Sequence, residues 1–313
     1  MSKLDKIVKT IKSKLPNTEI KLDEPLKNHI TFKIGGPVSA MIFPENTDNM
    51  TAVFDILNEN KITPLIIGNG SNILASDSRL EIIALSTSRL TDISLIDSEI
   101  LCSEECMGIK ADAGVLLSNL AVFACENGLA GLEFVHGIPG TVGGAVVMNA
   151  GAYGGEIKDV IFETIAYNAK KGVLTLTAAD NDFSYRHSRF SDNDDILLST
   201  IFKLKKSDSA EIKKTMEDLY KRRNKSQPLE FASSGSTFKR PKEGYSAALI
   251  EQAGLKGYSV GGAQVSEKHS GFIINRGNAT FFDVIAIIEH VQEVVYKQTG
   301  IILEPEVEII KEQ

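Results

Sequence analysis

Between Gly128 and Gly155 the sequence places nine of its 25 glycines, and so dense a run restricts what this segment can be. Glycine inside a helix or strand costs roughly 0.5–1 kcal/mol relative to alanine, but it admits positive φ and leaves main-chain atoms open to close approach. The core of the run reads Gly137-Ile138-Pro139-Gly140-Thr141-Val142-Gly143-Gly144-Ala145, followed by Asn149-Ala150-Gly151-Ala152-Tyr153-Gly154-Gly155. A second loop, Gly68-Asn69-Gly70-Ser71-Asn72, stands upstream, directly after the apolar run 64–67. Tight turns between strands would account for either loop alone. Successive N–H groups converging in one turn also form a concave anion site suited to a diphosphate. Two such loops favour one extended dinucleotide gripped from both sides.

The common dinucleotide sites do not fit. Neither loop reads Gly-x-Gly-x-x-Gly opening a helix in an early βαβ unit, and no P-loop pattern ending in Gly-Lys-Ser/Thr occurs. A net charge of −7 speaks against a broad basic face for nucleic acid, so any anion must be held locally by N–H groups and a few Arg or Lys side chains. Cys102, Cys106 and Cys125 leave one cysteine unpaired under any disulfide scheme, which suits a reducing compartment. The Cys102/Cys106 pair lacks a second Cys/His pair at zinc spacing, and the five histidines are scattered, so no metal is expected. No apolar run approaches the roughly 20 residues of a membrane span. The Lys-rich, amphipathic segment 1–15 contains Asp5 and reads as a surface helix, not a signal peptide. The expectation is a cytoplasmic protein without membrane or nucleic-acid partners.

Helix and strand signals divide the chain into three regions. In the first, 1–87, the apolar run 40–43 precedes a helix capped by Thr47 or Asp48 with Met50, Val53, Phe54 and Leu57 on one face, and 64–67 is a buried strand. The second, 88–204, holds a helix bearing Leu116, Leu117, Leu120, Phe123 and Ala124, stopped by Asn127-Gly128, then the glycine loop and strands near 172–177 and 196–203. The third, 205–302, has helices near 211–224, 245–253 and 281–298. In the last, Thr280 and Asp283 form a capping box, Phe281, Val284, Ile285, Ile288, Val291 and Val295 make the apolar face, and Gly300 ends the helix. Residues 303–313 are expected to return to the first region.

Gly68-Asn69-Gly70-Ser71-Asn72-Ile73-Leu74, Gly131-Leu132-Glu133-Phe134 and the loop from Gly137 to Ala145, preceded by His29-Ile30-Thr31-Phe32-Lys33-Ile34-Gly35-Gly36-Pro37, together resemble the UDP-N-acetylenolpyruvoylglucosamine reductase (MurB) family. The likeness runs from about residue 28 to 309. It implies an α+β fold: a two-part FAD-binding module of the vanillyl-alcohol-oxidase (PCMH) type, 1–87 and 88–204, plus a C-terminal α+β substrate-binding domain. It also implies non-covalent FAD, NADPH as reductant and UDP-N-acetylglucosamine enolpyruvate as substrate; a monomer is the separate expectation for the oligomeric state. Gly68, Asn69, Gly70, Ser71, Asn72, Gly137, Ile138, Pro139, Gly140, Thr141, Gly143, Gly144, Ala145 and Gly151 are the expected cofactor contacts.

The family chemistry adds a hydride to the terminal carbon of an enolpyruvyl ether and a proton to its neighbour, which drives negative charge onto the substrate carboxylate. Such a site needs fixed donors at the carboxylate and an acid at the carbon. Tyr185-Arg186-His187-Ser188 resembles the family's Tyr-Arg-x-Ser motif and assigns Arg186 to the carboxylate, where a guanidinium gives two parallel hydrogen bonds. Gly235-Ser236-Thr237-Phe238-Lys239 resembles Gly-Ser-x-Phe-Lys and makes Ser236 the proton donor. Leu303-Glu304-Pro305-Glu306-Val307 matches Leu-Glu-Pro-Glu-Val and makes Glu306 the third catalytic group, protonated or sharing a proton when it acts. Without these motifs Arg186 would read as a surface arginine and Ser236 as a turn residue. Tyr185, Arg223, Lys239, Gln264 and Asn275 are further substrate-contact candidates, each with a structural role as the alternative.

Three positions depart from the family pattern. Glu308 stands where relatives commonly carry Arg, Ser226 where many carry Lys, and His136 where Cys is frequent. The first two remove positive charge near a site for anionic ligands and weaken the assignment of pyrophosphate contacts. The short interval between Ser236 and Glu306 resembles the compact form of the family, without an extra substrate-covering loop. Two rivals remain. Another FAD oxidoreductase of the same flavin-binding class would share the glycine loops but not need Arg186, Ser236 and Glu306; a non-catalytic nucleotide-binding protein would lack at least one of them.

Overall fold

The computed structural model describes residues 2–96 and 104–312, so Cys102 lies outside the described residues. The chain forms two compact units, each gathered from segments far apart in sequence. One comprises Met1–Leu22, Ala40–Asn69 and Ile82–Lys221; the other comprises Asp23–Ser39, Gly70–Glu81 and Arg222–Gln313.

In the first unit, helix Lys3–Lys14 starts in a capping box in which Ser2 Oγ accepts from Asp5 N–H and the Asp5 carboxylate accepts from Ser2 N–H. It buries Ile7 and Ile11 in a cluster with Met50, Val53, Phe54, Ile56 and Leu57 of helix Thr47–Glu59. The cap of that second helix is Asn46 rather than Thr47 or Asp48: Asn46 has extended backbone and its Oδ1 accepts from Asn49 N–H at 2.9 Å, while Thr47 and Asp48 are already helical. Strand Leu65–Ile67 pairs in parallel with 84–86 and delivers the chain into Gly68.

An antiparallel sheet orders strands Gly172–Thr177, Ile161–Asn168, Ile196–Lys206, Cys106–Asp112 and Ile93–Ile96, with Leu129–Ala130 pairing on Ile196–Lys206. Helix Leu117–Glu126 lays Leu117, Leu120, Ala121 and Ala124 into the same core as Ile109, Phe202 and Leu204. Gly128, at φ 65°, follows its last turn. The glycine segment contains a helix, Val142–Val147, where the sequence suggests only loop. Two glycines and three valines in six residues are poor helix formers. Tertiary bonds override them: Val142 and Gly143 donate to the carbonyls of Val115 and Ala113, each at 2.8 Å.

In the second unit, helix Phe281–Thr299 begins with the expected Thr280/Asp283 capping box and ends at Gly300 with φ 74°. It buries Phe281, Val284, Ile287, Ile288, Val291 and Val295 against Phe238, Ile250, Val265 and Leu303. Ile287 is buried where the periodicity suggested Ile285, which packs only partly. Three short antiparallel strands, Ser259–Val260, Ala263–Val265 and Ile273–Asn275, cover this helix, and Ile73–Ala75 pairs in parallel with Glu308–Ile310. Among the described residues no helix is long and apolar enough to cross a membrane.

Candidate active site

The two glycine loops meet within the first unit. Asn69 Nδ2 donates to Pro139 O at 2.7 Å. A Cβ on Gly68 would lie 2.4 Å from Thr141 Oγ1, so the close approach of the loops requires glycine there. The N–H groups of Asn69, Gly137 and Gly140 donate to no backbone carbonyl among the described residues, whereas Ile138 N–H is engaged by Val135 O. Grouped donors of this kind fit the diphosphate of a dinucleotide such as FAD. Gly143 and Gly144 act differently. Their N–H groups are engaged by Ala113 O and Thr141 Oγ1, so these residues contribute packing more than donors. Gly151 pairs with Glu156, and Ala145 N–H closes the first helical turn on Thr141 O. Gly70, Ser71 and Asn72 belong to the second unit. There Gly70 O accepts from Thr31 N–H, and Asn72 Nδ2 donates to Glu306 O at 3.0 Å.

Arg186 sits in a two-residue turn closed by reciprocal hydrogen bonds between Ser184 and His187, at 3.1 and 3.4 Å. Its φ is 56°, in the left-handed region that a non-glycine residue enters at a cost of roughly 1–2 kcal/mol. The surroundings hold it there. Asn149 Nδ2 donates to Ser184 O at 3.0 Å, and the fully buried Ser188 donates Oγ–H to Val147 O at 2.9 Å. The guanidinium reaches Gly151 O at 3.5 Å and lies 5.2 Å from the centre of the Tyr185 ring. It also helps to hold the Glu156 carboxyl below its ordinary range, although the Lys158 ammonium, 2.7 Å away, is the larger cause.

Ser236 and Glu306 lie on adjoining extended segments of the second unit. Ser236 bridges Phe272, Thr237 N–H donates to Gly271 O at 2.8 Å, and Glu306 N–H donates to Thr237 O at 2.8 Å. Ser236 Oγ is directed to Phe238 O at 3.4 Å, a long bond that leaves the hydroxyl replaceable partners. Gly235, at φ 75°, makes the turn that presents it. Behind Phe272 stands His269, ring centroids 4.9 Å apart, with its Nδ1 accepting from Gly271 N–H at 3.2 Å. Burial holds the His269 pKa below the ordinary histidine value.

The remaining candidates divide by how their polar atoms are engaged. Gln264 donates to Gly257 O at 3.1 Å and accepts from Arg276 at 2.9 Å; Asn275 donates to Phe32 O at 3.2 Å and accepts from Gly277 and Ala279 N–H. Both amides thus tie their strands to neighbouring turns. Lys239 Nζ stands 3.6 Å from Glu304, Tyr185 is exposed, and Arg223 lies on the last turn of helix Ser209–Ser226. An open cavity of about 520 Å³ in the second unit, lined in part by Lys27, Lys33, Asp77, Asn275 and Arg276, was not foreseen because its residues are scattered in sequence. Asn149, at φ 41°, is a further left-handed residue that the sequence reading did not single out, although an Asn beside a glycine loop is a signal for such backbone.

A model described as UDP-N-acetylenolpyruvoylglucosamine reductase, C-terminal domain, matches residues 227–310, and a model of an FAD binding domain matches residues 38–170. A curated UDP-N-acetylenolpyruvoylglucosamine reductase from Caldanaerobacter subterraneus subsp. tengcongensis is 43% identical over 307 residues, 98% of this chain and 99% of that protein. One from Clostridium kluyveri is 41% identical over 312 residues, covering 100% of both. The crystal structure of UDP-N-acetylenolpyruvylglucosamine reductase from Thermus caldophilus superposes with a TM-score of 0.77 at 29% identity, covering 94% of this chain and 99% of that one. The fold is therefore α+β, with an FAD-binding domain and a C-terminal domain of this reductase type.

Proposed function

The chain belongs to the UDP-N-acetylenolpyruvoylglucosamine reductase family, and on that premise we propose that it reduces UDP-N-acetylglucosamine enolpyruvate to UDP-N-acetylmuramate for peptidoglycan precursor synthesis. It is an FAD-dependent oxidoreductase, with NADPH as the reductant. The observation that carries this reading is likeness over nearly the whole chain, with both family models matched in order. The protein acts as a cytoplasmic monomer. Residues 1–87 and 88–204 serve the flavin, 205–302 the substrate, and 303–313 returns to the first part.

FAD, when bound and once reduced by NADPH, would supply the hydride that adds to the terminal carbon of the enolpyruvyl group. Asn69, Gly137 and Gly140 hold its diphosphate through their N–H groups, and Gly68 and the loop from Ile138 to Gly151 shape the pocket for it; Gly70, Ser71 and Asn72 are further proposed cofactor contacts. Arg186 binds the substrate carboxylate and stabilises the charge that develops there, because its guanidinium keeps its charge throughout. Its left-handed backbone supports this role, since strain persists where the surroundings over-determine it. Ser236 gives the proton to the carbon next to the carboxylate. A serine hydroxyl is a weak acid, and only a strongly basic, carbanion-like carbon can take its proton, which confines the step to the moment after hydride addition. Glu306, in its protonated form, adds a hydrogen bond to the same charge. Tyr185, Arg223, Lys239, Gln264 and Asn275 are the proposed substrate neighbours; Gln264 and Asn275 act by shaping loops, given how their amides are engaged.

The test is direct. The purified protein should be yellow and release FAD on denaturation, and it should oxidise NADPH in stoichiometric proportion to the enolpyruvyl substrate consumed. A colourless protein that cannot be reconstituted with FAD would overturn the reading.

A further inference from the structure

Asn149 is 1% exposed, its φ is 41°, and each polar atom of its amide is used. Nδ2 donates to Glu156 Oε2 at 2.9 Å and to Ser184 O at 3.0 Å, while Oδ1 accepts from Lys158 N–H at 3.1 Å. Asn149 follows directly on the Val142–Val147 helix and Met148, and so sits at the end of the glycine segment proposed to carry the flavin. Ser184 is the first residue of the turn that carries Arg186. The two stretches are 35 residues apart in sequence, and this amide is a direct side-chain link between them. Ser188 to Val147, at 2.9 Å, makes a second link on the far side of the same turn.

A turn fixed on both sides to one short segment moves with that segment. We propose that Asn149 is a positioning residue for Arg186, setting the guanidinium against the flavin-bearing loop without itself touching substrate. This rests on the reading of Arg186 as the carboxylate ligand. Asparagine suits the position on two counts. It tolerates left-handed backbone, and its amide presents donor and acceptor on opposite sides. A carboxylate there would face Ser184 O and Glu156 without a proton to offer either.

The experiment compares Asn149→Gly, which accepts φ 41° and removes the amide, with Asn149→Asp, which keeps size and acceptor and removes the donor. Both are measured for FAD content, for anaerobic flavin reduction by NADPH, and for reoxidation by the enolpyruvyl substrate. The expected result is normal FAD content and flavin reduction, with substrate-driven reoxidation slowed about 100-fold, the loss that accompanies misplacement by about 1 Å. On an Arg186→Lys background, Asn149→Gly should slow reoxidation further by less than about threefold, because residues acting through one another are not additive. Loss of FAD from both variants, or losses that multiply on the Arg186→Lys background, would make Asn149 a structural residue and overturn the inference. Normal reoxidation in both Asn149 variants beside an impaired Arg186→Lys would overturn it and leave the Arg186 reading standing. Normal reoxidation in Arg186→Lys would remove that reading, and the inference with it.

Discussion

Glu306 donates its backbone N–H to the carbonyl of Thr237 at 2.8 Å, and this bond joins the segment that carries Ser236 to the segment that carries Glu306, although the two lie far apart in sequence. Asn72 strengthens the arrangement from the other side, donating to Glu306 O and accepting from Glu308 N–H. The residues proposed as proton donor and charge-stabilising acid thus stand on backbone-paired segments.

Glu306→Gln should therefore retain more activity than Glu306→Ala. The amide can still donate a hydrogen bond, whereas the alanine cannot, and removal of one such donor typically lowers turnover about 10²–10³-fold. Stopped-flow reoxidation of reduced enzyme measures the difference. Equal activity in the two variants would show that no donor is used at this position.

Gly68→Ala should weaken FAD binding by roughly tenfold or more, because overpacking of this kind costs typically 1–3 kcal/mol and the added Cβ would stand 2.4 Å from Thr141 Oγ1. Adding Thr141→Ala removes the obstructing hydroxyl and should restore part of the affinity. Titration of apoprotein with FAD, followed by flavin fluorescence quenching, reads both.

This loop also shows what the sequence could and could not reveal. The glycines of 137–144 announced a close approach, but not its partner, since the contact with Gly68 and Asn69 is tertiary. The helix Val142–Val147 was invisible because its residues disfavour helix and the bonds that hold it run to Ala113 and Val115. By contrast, helix Phe281–Thr299 was legible almost to the residue. Its capping box, terminal glycine and apolar stripe are local features, and only the exchange of Ile285 for Ile287 depended on what packed against it. Arg186, Ser236 and Glu306 were proposed from motifs alone. Asn149 was not, because its meaning lies in burial and in a bond to Ser184.

His269 makes stability pH-dependent. Its folded-state pKa lies below the unfolded value of about 6.5, so the unfolded chain binds more protons in the interval between them. Stability should fall as pH drops from about 6.5 through the folded-state pKa. Urea denaturation from pH 7.5 to 5 should show this decline, and His269→Phe should flatten it. A decline unchanged in the variant would assign the effect to other groups.

Tyr167 donates to both carboxylate oxygens of Asp55, at 2.7 and 2.8 Å, and burial and this carboxylate push its pKa to about 12. Tyr167→Phe should destabilise the first unit by about 1 kcal/mol, the typical net worth of a hydrogen bond. The native contribution is complete below about pH 10 and lost as pH rises through about 12, because the unfolded tyrosine ionises first. Denaturation curves at pH 8 and 11 should therefore separate wild type from Tyr167→Phe more widely at pH 8.

The central claim, that Ser236 protonates the substrate after hydride addition, is tested by Ser236→Ala in the two half-reactions measured separately. Anaerobic reduction of bound FAD by NADPH should proceed at the wild-type rate, while reoxidation by UDP-N-acetylglucosamine enolpyruvate should fall by at least about 10³-fold, near the upper range for a positioned acid. Reoxidation at the wild-type rate, or an equal loss in both halves, would contradict the account.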